Sequence, residues 1–404
     1  MAILSEKLKR RIVIAHTSEK YGKELIDAIE SSSDILTGNT APSDGLGVNG
    51  NLYVNLINGD LYLKYNDAWE LKSSGGDIGV EAAFEDIEQP VGIKDASKAI
   101  LSINDTSRKL TVTPVESYVC FVKGKRIEID TVKEIIWSNT HGMHYFYIDI
   151  NGDLVTTTTF TESIITEFTY IAAIYWDSTA GKHIYFANEK HGIKMSPITH
   201  AYLHRTRGAA FDSGCKLVNF TVDASGASVS HAQFNANSGV IWDEDIRIAL
   251  PAQTQFPVFY RSGLINWKRK NANSFPLILD GEEGYTGTRP AYNLLSSGSW
   301  SLVQTSNNKF LLIHIFATND IDYPFIGILG QAEYNSKAEA RAGAINEIKS
   351  ISALPVQEFC PIGSVIYEVN NAYGNITKSR IVSTADGADY QDHRGEPLRP
   401  GSLA

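Results

Sequence analysis

What most limits the fold open to this chain is its punctuation. From about residue 80 the sequence runs in short stretches rich in Val, Ile, Thr, Tyr and Phe, each closed by turn-forming residues. Leu110-Thr111-Val112-Thr113-Pro114, Tyr118-Val119-Cys120-Phe121-Val122 and Arg126-Ile127-Glu128-Ile129 are the first of these. Tyr145-Phe146-Tyr147-Ile148 then leads through the turn Asn151-Gly152-Asp153-Leu154 to a run over Val155 to Phe160. Tyr170 to Trp176, His183 to Phe186, Phe256 to Tyr260, Phe310 to Phe316 and Val365 to Val369 continue the series. Such spacing predicts antiparallel strands stacked as a sandwich or barrel. One helix interrupts them: Ser336-x-x-Glu339 is a capping box that opens an Ala-rich run ending near Lys349. No repeat of fixed period is present, so a solenoid is not expected.

The start of the chain reads differently. Residues 4–32 are highly charged, and Thr17 or Ser18 can cap a helix whose face carries Tyr21, Leu25, Ala28 and Ile29. A loop rich in Gly, Asn, Pro and Ser follows over 36–51. Leu52-Tyr53-Val54-Asn55-Leu56 and Leu61-Tyr62-Leu63-Lys64-Tyr65 flank Asn58-Gly59, the pair that suits a type I′ turn because both central residues take positive φ. Trp69 can cover one face of this hairpin, and Ser73-Ser74-Gly75-Gly76 reads as a second linker. A lone two-stranded hairpin is marginal in water, so pairing with copies from neighbouring chains is expected. The expected fold is therefore mainly β, with a short N-terminal helical anchor, a small β-hairpin module, antiparallel sandwich-like domains and one C-terminal helix. The segments are an N-terminal helical segment at 1–35, a linker and hairpin module at 36–76, and a β-rich domain at 77–230. A second β-rich domain fills 231–404, with its helix near 337–350.

Composition narrows the function. The chain has 404 residues and a formal net charge of −10, and its shortage of Lys and Arg argues against nucleic acid as a partner. No stretch of eighteen apolar residues occurs, so no membrane insertion is expected. The first residues, Met1-Ala2-Ile3-Leu4-Ser5-Glu6-Lys7, lack the apolar core of a secretory signal. Cys120, Cys215 and Cys360 are odd in number and far apart, which fits buried reduced thiols and folding in a reducing cytoplasm.

Few residues invite chemistry. His200 and His204 stand four apart, as in helical zinc sites, but Ala201 occupies the position where a metallohydrolase carries Glu. His231 and His314 could join them only through the fold, and a structural role is the expectation for all four. Asp149-x-Asn151-x-Asp153 begins like a calcium loop, but Gly152 sits too early and Phe160 stands where the bidentate Glu belongs, so a hairpin turn is expected. Asp243-Glu244-Asp245 and Asp280-Gly281-Glu282-Glu283 read as solvated acidic loops. Trp267-Lys268-Arg269-Lys270 reads as an exposed turn or a basic rim. Gly-x-Ser-x-Gly and a phosphate-binding Gly-Lys-Ser/Thr are absent. The sequence thus offers no catalytic residues, no cofactor site and no metal site.

Two stretches carry a resemblance. Gly47-x-Asn49-Gly50-x-x-Tyr53, Gly59-x-Leu61-Tyr62 and Trp69 resemble a short module of bacteriophage tail-fibre and virion appendage proteins. His191-Gly192-Ile193 through Thr199-His200-Ala201-Tyr202-Leu203-His204-Arg205-Thr206-Arg207-Gly208 resembles a domain of tail-fibre-like phage proteins. So do Asp243-Glu244-Asp245, Phe316-Ala317-Thr318-Asn319-Asp320 and Tyr390-x-Asp392-x-Arg394-Gly395.

The resemblance implies a homotrimeric structural subunit of a tail or neck fibre, assembled in the host cytoplasm and held on the virion by its N-terminal segment. Its partners would be other tail, neck or baseplate proteins, and its β domains would meet a host surface glycan or the next fibre protein. The alternative is a depolymerase fibre that cleaves host polysaccharide; that would favour a long regular β-helix, which these irregular runs do not suggest. The expected contact surface is the turn-rich stretch that keeps Trp267, Tyr285, Tyr292 and Trp300, since aromatic faces stack on sugar rings.

Overall fold

The computed structural model describes residues 35–55, 60–73, 89–351, 354–381, 383 and 390–396. The helical segment expected over 4–32 and the Asn58-Gly59 turn lie outside these residues. The chain divides into two compact units, Met1–Gln89 and Pro90–Ala404, and its described part is mainly β with few helices, as expected.

The first unit holds a four-stranded sheet in the order Ile35–Gly38, Leu52–Asn55, Leu61–Tyr65, Ala68–Ser73. Its first pair is parallel and the others antiparallel. The module is thus larger than the expected two-stranded hairpin, and the loop expected over 36–51 opens with a strand. Asn66 and Asp67 both take positive φ, 50° and 62°, which turns the third strand tightly into the fourth. Tyr53 is buried and packs edge-on against Trp69, with ring centroids 5.7 Å apart. Lys64, only 4% exposed, turns its ammonium onto the carbonyls of Asp44, Leu46 and Gly47, and the Trp69 indole N–H donates to Ser43 and Leu46. Gly47 is needed here: its φ is +70°, and a Cβ would lie 2.8 Å from both the Asn51 amide oxygen and a Leu36 methyl.

The second unit is built in layers. A four-stranded antiparallel sheet, ordered Leu154–Thr157, Gly142–Ile148, Thr169–Asp177, Lys182–Asn188, lies in its middle. Every residue of Thr169–Asp177 is buried, because both faces of that strand are covered. Ala172, Ile174 and Trp176 face a core shared with Leu110, Val112, Tyr118 and Cys120 from two small three-stranded sheets, and with Trp137 just beyond strand Lys133–Ile136. Ala173 and Tyr175 face the opposite core, shared with Phe259, Phe316, Ile326 and Ile328 of the largest sheet.

That largest sheet runs in the order Asn266–Asn273, Phe256–Ser262, Phe325–Tyr334, Lys309–Thr318, Phe359–Val369, Ser379–Ile381, and Tyr390–Asp392 also pairs with Phe359–Val369. Its far face packs on residues from Cys215 to Leu250. The boundary expected near 230 is therefore not a boundary. The cores join residues 143–201 to 259–356 and 215–250 to 256–381, because the β runs on either side of 230 cover one another.

Among the described residues three α-helices punctuate this unit: α1 (Ser163–Thr166), α2 (Pro197–Thr206) and α3 (Lys337–Ser350). α3 is the helix expected from the capping box: the Ser336 hydroxyl accepts from the Glu339 N–H at 3.1 Å. Cys120, Cys215 and Cys360 are free and buried, in keeping with reduced thiols.

A polar clip ties two layers together. The His183 ring donates through Nδ1 to Asp105 at 2.8 Å and through Nε2 to Asp322 at 2.7 Å, joining segments far apart in sequence. Burial opposes charge on this ring, but the hydrogen bonds to Asp322 and Asp105 outweigh it and raise its pKa above the ordinary 6.5. The His183 bond in turn lowers Asp322 below the ordinary 3.8. The histidine's contribution is therefore full below its unfolded pKa and is lost as pH rises through the raised folded value. The contribution of Asp322 is present above its unfolded pKa and is lost as pH falls through the lowered folded value. Replacing His183 by Gln is expected to cost about 1 kcal/mol, part-exposed Asp322 being screened. The cost should be greatest at mildly acidic pH and shrink as the medium becomes alkaline; urea unfolding across pH 4 to 9 measures it, and a pH-independent loss would contradict the clip.

Candidate metal centre

The side chains that the fold draws together are not those the sequence singles out first. Strand Lys182–Asn188 runs straight into Glu189-Lys190-His191, carrying two polar side chains into the interior. α2 follows. Ser196 caps it by accepting from the Thr199 N–H at 3.2 Å, Pro197 stands in its first turn, and Gly208, at φ +55°, closes it with a bond to the Leu203 carbonyl. His200 and His204 share its buried face, as their spacing allows. Strands Gly239–Asp243 and Ile246–Leu250 are joined by a tight turn at Glu244 and Asp245, with Glu244 at φ 42°. Glu358 stands just before strand Phe359–Val369. These four segments converge on one spot.

The cluster holds His191, His200 and His204 with Glu189, Asp243, Glu244 and Glu358. Glu189, Asp243 and Glu358 are fully buried, as is the Glu244 side chain. His204 Nδ1 lies 2.9 Å from a Glu358 oxygen and 3.9 Å from Glu244 Oε1. His191 Nε2 lies 3.7 Å from Glu189 and 3.8 Å from Glu244 Oε2, and His200 Nε2 is also 3.8 Å from Glu244 Oε2. Three sets of donors lie within metal-ligating reach of one another: His191, His200 and Glu244; Glu189, His191 and Asp243; and His204, Glu244 and Glu358.

A surrounding shell fixes these groups. The His191 Nδ1–H donates to Asp245 at 2.8 Å, and the second Asp245 oxygen accepts from the Gly192 N–H at 2.9 Å. The Asn319 amide donates to Glu189 at 2.9 Å and to Asp243 at 3.0 Å, while its oxygen accepts from the Tyr185 hydroxyl. His204 stacks on Phe160 at 5.4 Å between centroids. Gly208 lets the chain pass close: a Cβ there would stand 3.1 Å from a Glu358 oxygen. This arrangement turns His191 Nε2 toward the cluster, and although burial opposes charge on the ring, the hydrogen bonds to Asp245 and Glu189 with Asp243 and Glu244 nearby raise its pKa well above the ordinary 6.5.

The electrostatics are those of crowded buried acids. Burial, with Glu358 and Asp243 close by, pushes the Glu244 carboxyl up to about 11. Burial and Asp243 raise both Glu189 and Glu358, while burial beside His191 and His204 drives His200 down to about 2. Among the described residues no lysine or arginine is paired with any of the four carboxylates.

The other candidate residues fall elsewhere. Asp243-Glu244-Asp245 is not a solvated loop; it is a turn folded into the interior. His231 caps a short 3₁₀ helix, and His314 bonds Ser364 and Glu347 inside the largest sheet, so neither joins the cluster. Asp149 forms the expected hairpin turn, accepting from the Asn151 and Asp153 N–H groups at 2.9 Å each. Asp280 accepts from the Gly287 N–H and Glu283 from the Tyr260 hydroxyl, while Glu282 accepts from the Leu279 N–H and pairs with Lys270 at 2.7 Å.

The basic run 267–270 is a strand, not an exposed turn. Lys268 pairs with Asp177 at 2.7 Å, and Arg269 and Lys270 are buried on the carbonyls of Ile184 and Leu277. Trp267, Tyr285, Tyr292 and Trp300 are all buried, between 2% and 8% exposed, so they do not form the expected contact surface. The Arg261 guanidinium lies 4.8 Å from the Trp267 ring and 5.0 Å from the Trp300 ring, and these contacts draw the aromatics inward.

No family model matches the chain, and no curated protein matches it either.

The burial of Trp267 has a measurable consequence. Trp267→Ala is expected to cost about 3–5 kcal/mol in urea unfolding, the usual range for a large aromatic removed from a core. Leu264→Ala and Ile265→Ala, at side chains 74% and 76% exposed, should shift stability by less than about 0.5 kcal/mol. A Trp267 variant as stable as these two would return that residue to the surface.

Proposed function

We propose that this chain is a structural subunit of a bacteriophage tail or neck fibre, attached to the virion through its N-terminal segment. Its β unit meets a host surface or the next fibre protein, and it works by assembly and contact. One observation carries this reading. The separated stretches that resemble tail-fibre-like proteins, His191 to Gly208, Asp243 to Asp245 and Phe316 to Asp320, supply His191, His200, His204, Asp243, Glu244, Asp245 and Asn319 to a single cluster. The module from Gly47 to Trp69 supports it too, since Gly47, Tyr53 and Trp69 are residues on which its small sheet closes. The layered second unit, with residues 143–201 and 259–356 in one core, suits a rigid projecting part.

The test is assembly. A chain lacking residues 1–89 is expected to fold, with the melting transition of the second unit retained, yet to be absent from particles made in its presence. Light scattering of the full-length protein should report the mass of a homotrimer. Normal incorporation of the shortened chain, or a stable monomer at micromolar concentration, would oppose the proposal.

A further inference from the structure

We infer that the buried cluster is a dinuclear metal centre, holding two first-row divalent cations with Glu244 as the carboxylate between them. The inference stands apart from the appendage reading and rests on geometry and charge. Nine buried side-chain atoms of the cluster make no well-formed hydrogen bond: Glu189 Oε2, His191 Nε2, His200 Nε2, His204 Nδ1, Asp243 Oδ1 and both oxygens of Glu244 and Glu358, the 2.9 Å approach of His204 Nδ1 to Glu358 being an ion-pair contact. Buried polar groups left unpaired cost a few kcal/mol each, and folds rarely gather them. Here they come from four separate segments and point at one another.

The donors divide into two sets. His191 belongs to two sets, one with His200 and Glu244 and one with Glu189 and Asp243, which assigns these residues to one position, toward which Glu244 turns Oε2; His204 and Glu358 flank a second, toward which it turns Oε1. Ligands about 2.1 Å from a shared ion stand roughly 3 to 3.4 Å apart. The observed separations of 2.9 to 3.9 Å across the cluster need only slight closure to reach that. Nine donor atoms exceed what one ion of this size accepts, but suffice for two.

Charge gives the same count. Once ionised, the four carboxylates among the donors bring four negative charges into a region where no described lysine or arginine pairs with them, the part-exposed Asp245 lying outside the donor set. Two divalent cations balance them, with the three imidazoles neutral. The Asp245–His191 contact is the carboxylate–histidine arrangement that orients a ligating ring, and Asn319 does the same for Glu189 and Asp243. Mixed imidazole and carboxylate donors suit manganese, iron or zinc, and disfavour copper(I), which seeks sulfur. Because the donor atoms are closed off from solvent, the ions serve as a staple that joins residues 189–191, α2, the 243–245 turn and Glu358.

The experiment measures metal in the full-length protein, produced with manganese, iron and zinc supplied and then dialysed against EDTA. Elemental analysis is expected to give two ions per chain. Glu358→Gln, which removes a ligand from the second position only, should leave one. Should that variant fail to fold, the wild-type chain refolded with Mn²⁺ supplies the second readout: an exchange-coupled paramagnetic spectrum marks paired ions, and an isolated six-line spectrum does not. One ion per chain, an uncoupled spectrum, or a Glu358→Gln protein that keeps two ions would overturn the dinuclear centre. A wild-type protein free of metal would overturn it altogether and leave a cluster neutralised by protons.

Discussion

Burying a carboxylate without a lysine or arginine to balance it is among the most costly things a fold can do, and this chain gathers four such groups in one place. Glu189, Asp243, Glu244 and Glu358 come from segments separated by tens to more than a hundred residues. Bringing them together fixes where strand Lys182–Asn188 ends, how α2 is seated and how tightly the turn at Glu244 must bend. The same convergence requires Gly192 and Gly208, whose added Cβ atoms would stand 2.8 and 3.1 Å from the oxygens of Asp245 and Glu358. Whatever neutralises the cluster therefore holds the layers of the second unit in register, and without it the repulsion would push α2 and the 243–245 turn outward.

The rest of that unit is ordinary by comparison. The middle sheet is covered on both faces, and its strand Thr169–Asp177 takes no exposed residue. The largest sheet supplies Phe259, Phe316, Ile326 and Ile328 to one core and Leu311, Ile313, Val365 and Tyr367 to another. Specific polar connections tie the unit's segments, among them His183 between Asp105 and Asp322, Lys268 on Asp177, and His314 between Ser364 and Glu347.

Much of this was legible in the residues. β-branched and aromatic runs bounded by Gly, Asn and Asp fall on strands because packing on a half-buried pleated surface selects those side chains. The capping box at Ser336 found α3 because its hydrogen bond is local. α2 escaped notice because its inward face carries His200, Ala201 and His204 in place of an apolar stripe, although Ser196-Pro197 and Gly208 mark its ends. Asp243-Glu244-Asp245 was read as solvated because acids in a turn usually are; burial there depends on Asn319 and His191, which no local pattern links to it. The aromatics from Trp267 to Trp300 misled in the opposite direction, since turn residues around them suggested exposure while Arg261 and the core held them inside. The parallel strand Ile35–Gly38 was missed for the same reason: its partner is chosen by tertiary pairing, not by its own sequence.

The central claim is that metal, and not shared protons, resolves the buried charge. Crystals of the full-length protein, measured at the absorption edges of manganese, iron and zinc, test this most directly. The account predicts two anomalous peaks about 3.5–4 Å apart, one against His191, His200, Glu189 and Asp243 and the other against His204 and Glu358, with Glu244 touching both. A map with no anomalous peak, in which the carboxyls of Glu189, Asp243, Glu244 and Glu358 bond directly to one another, would contradict it.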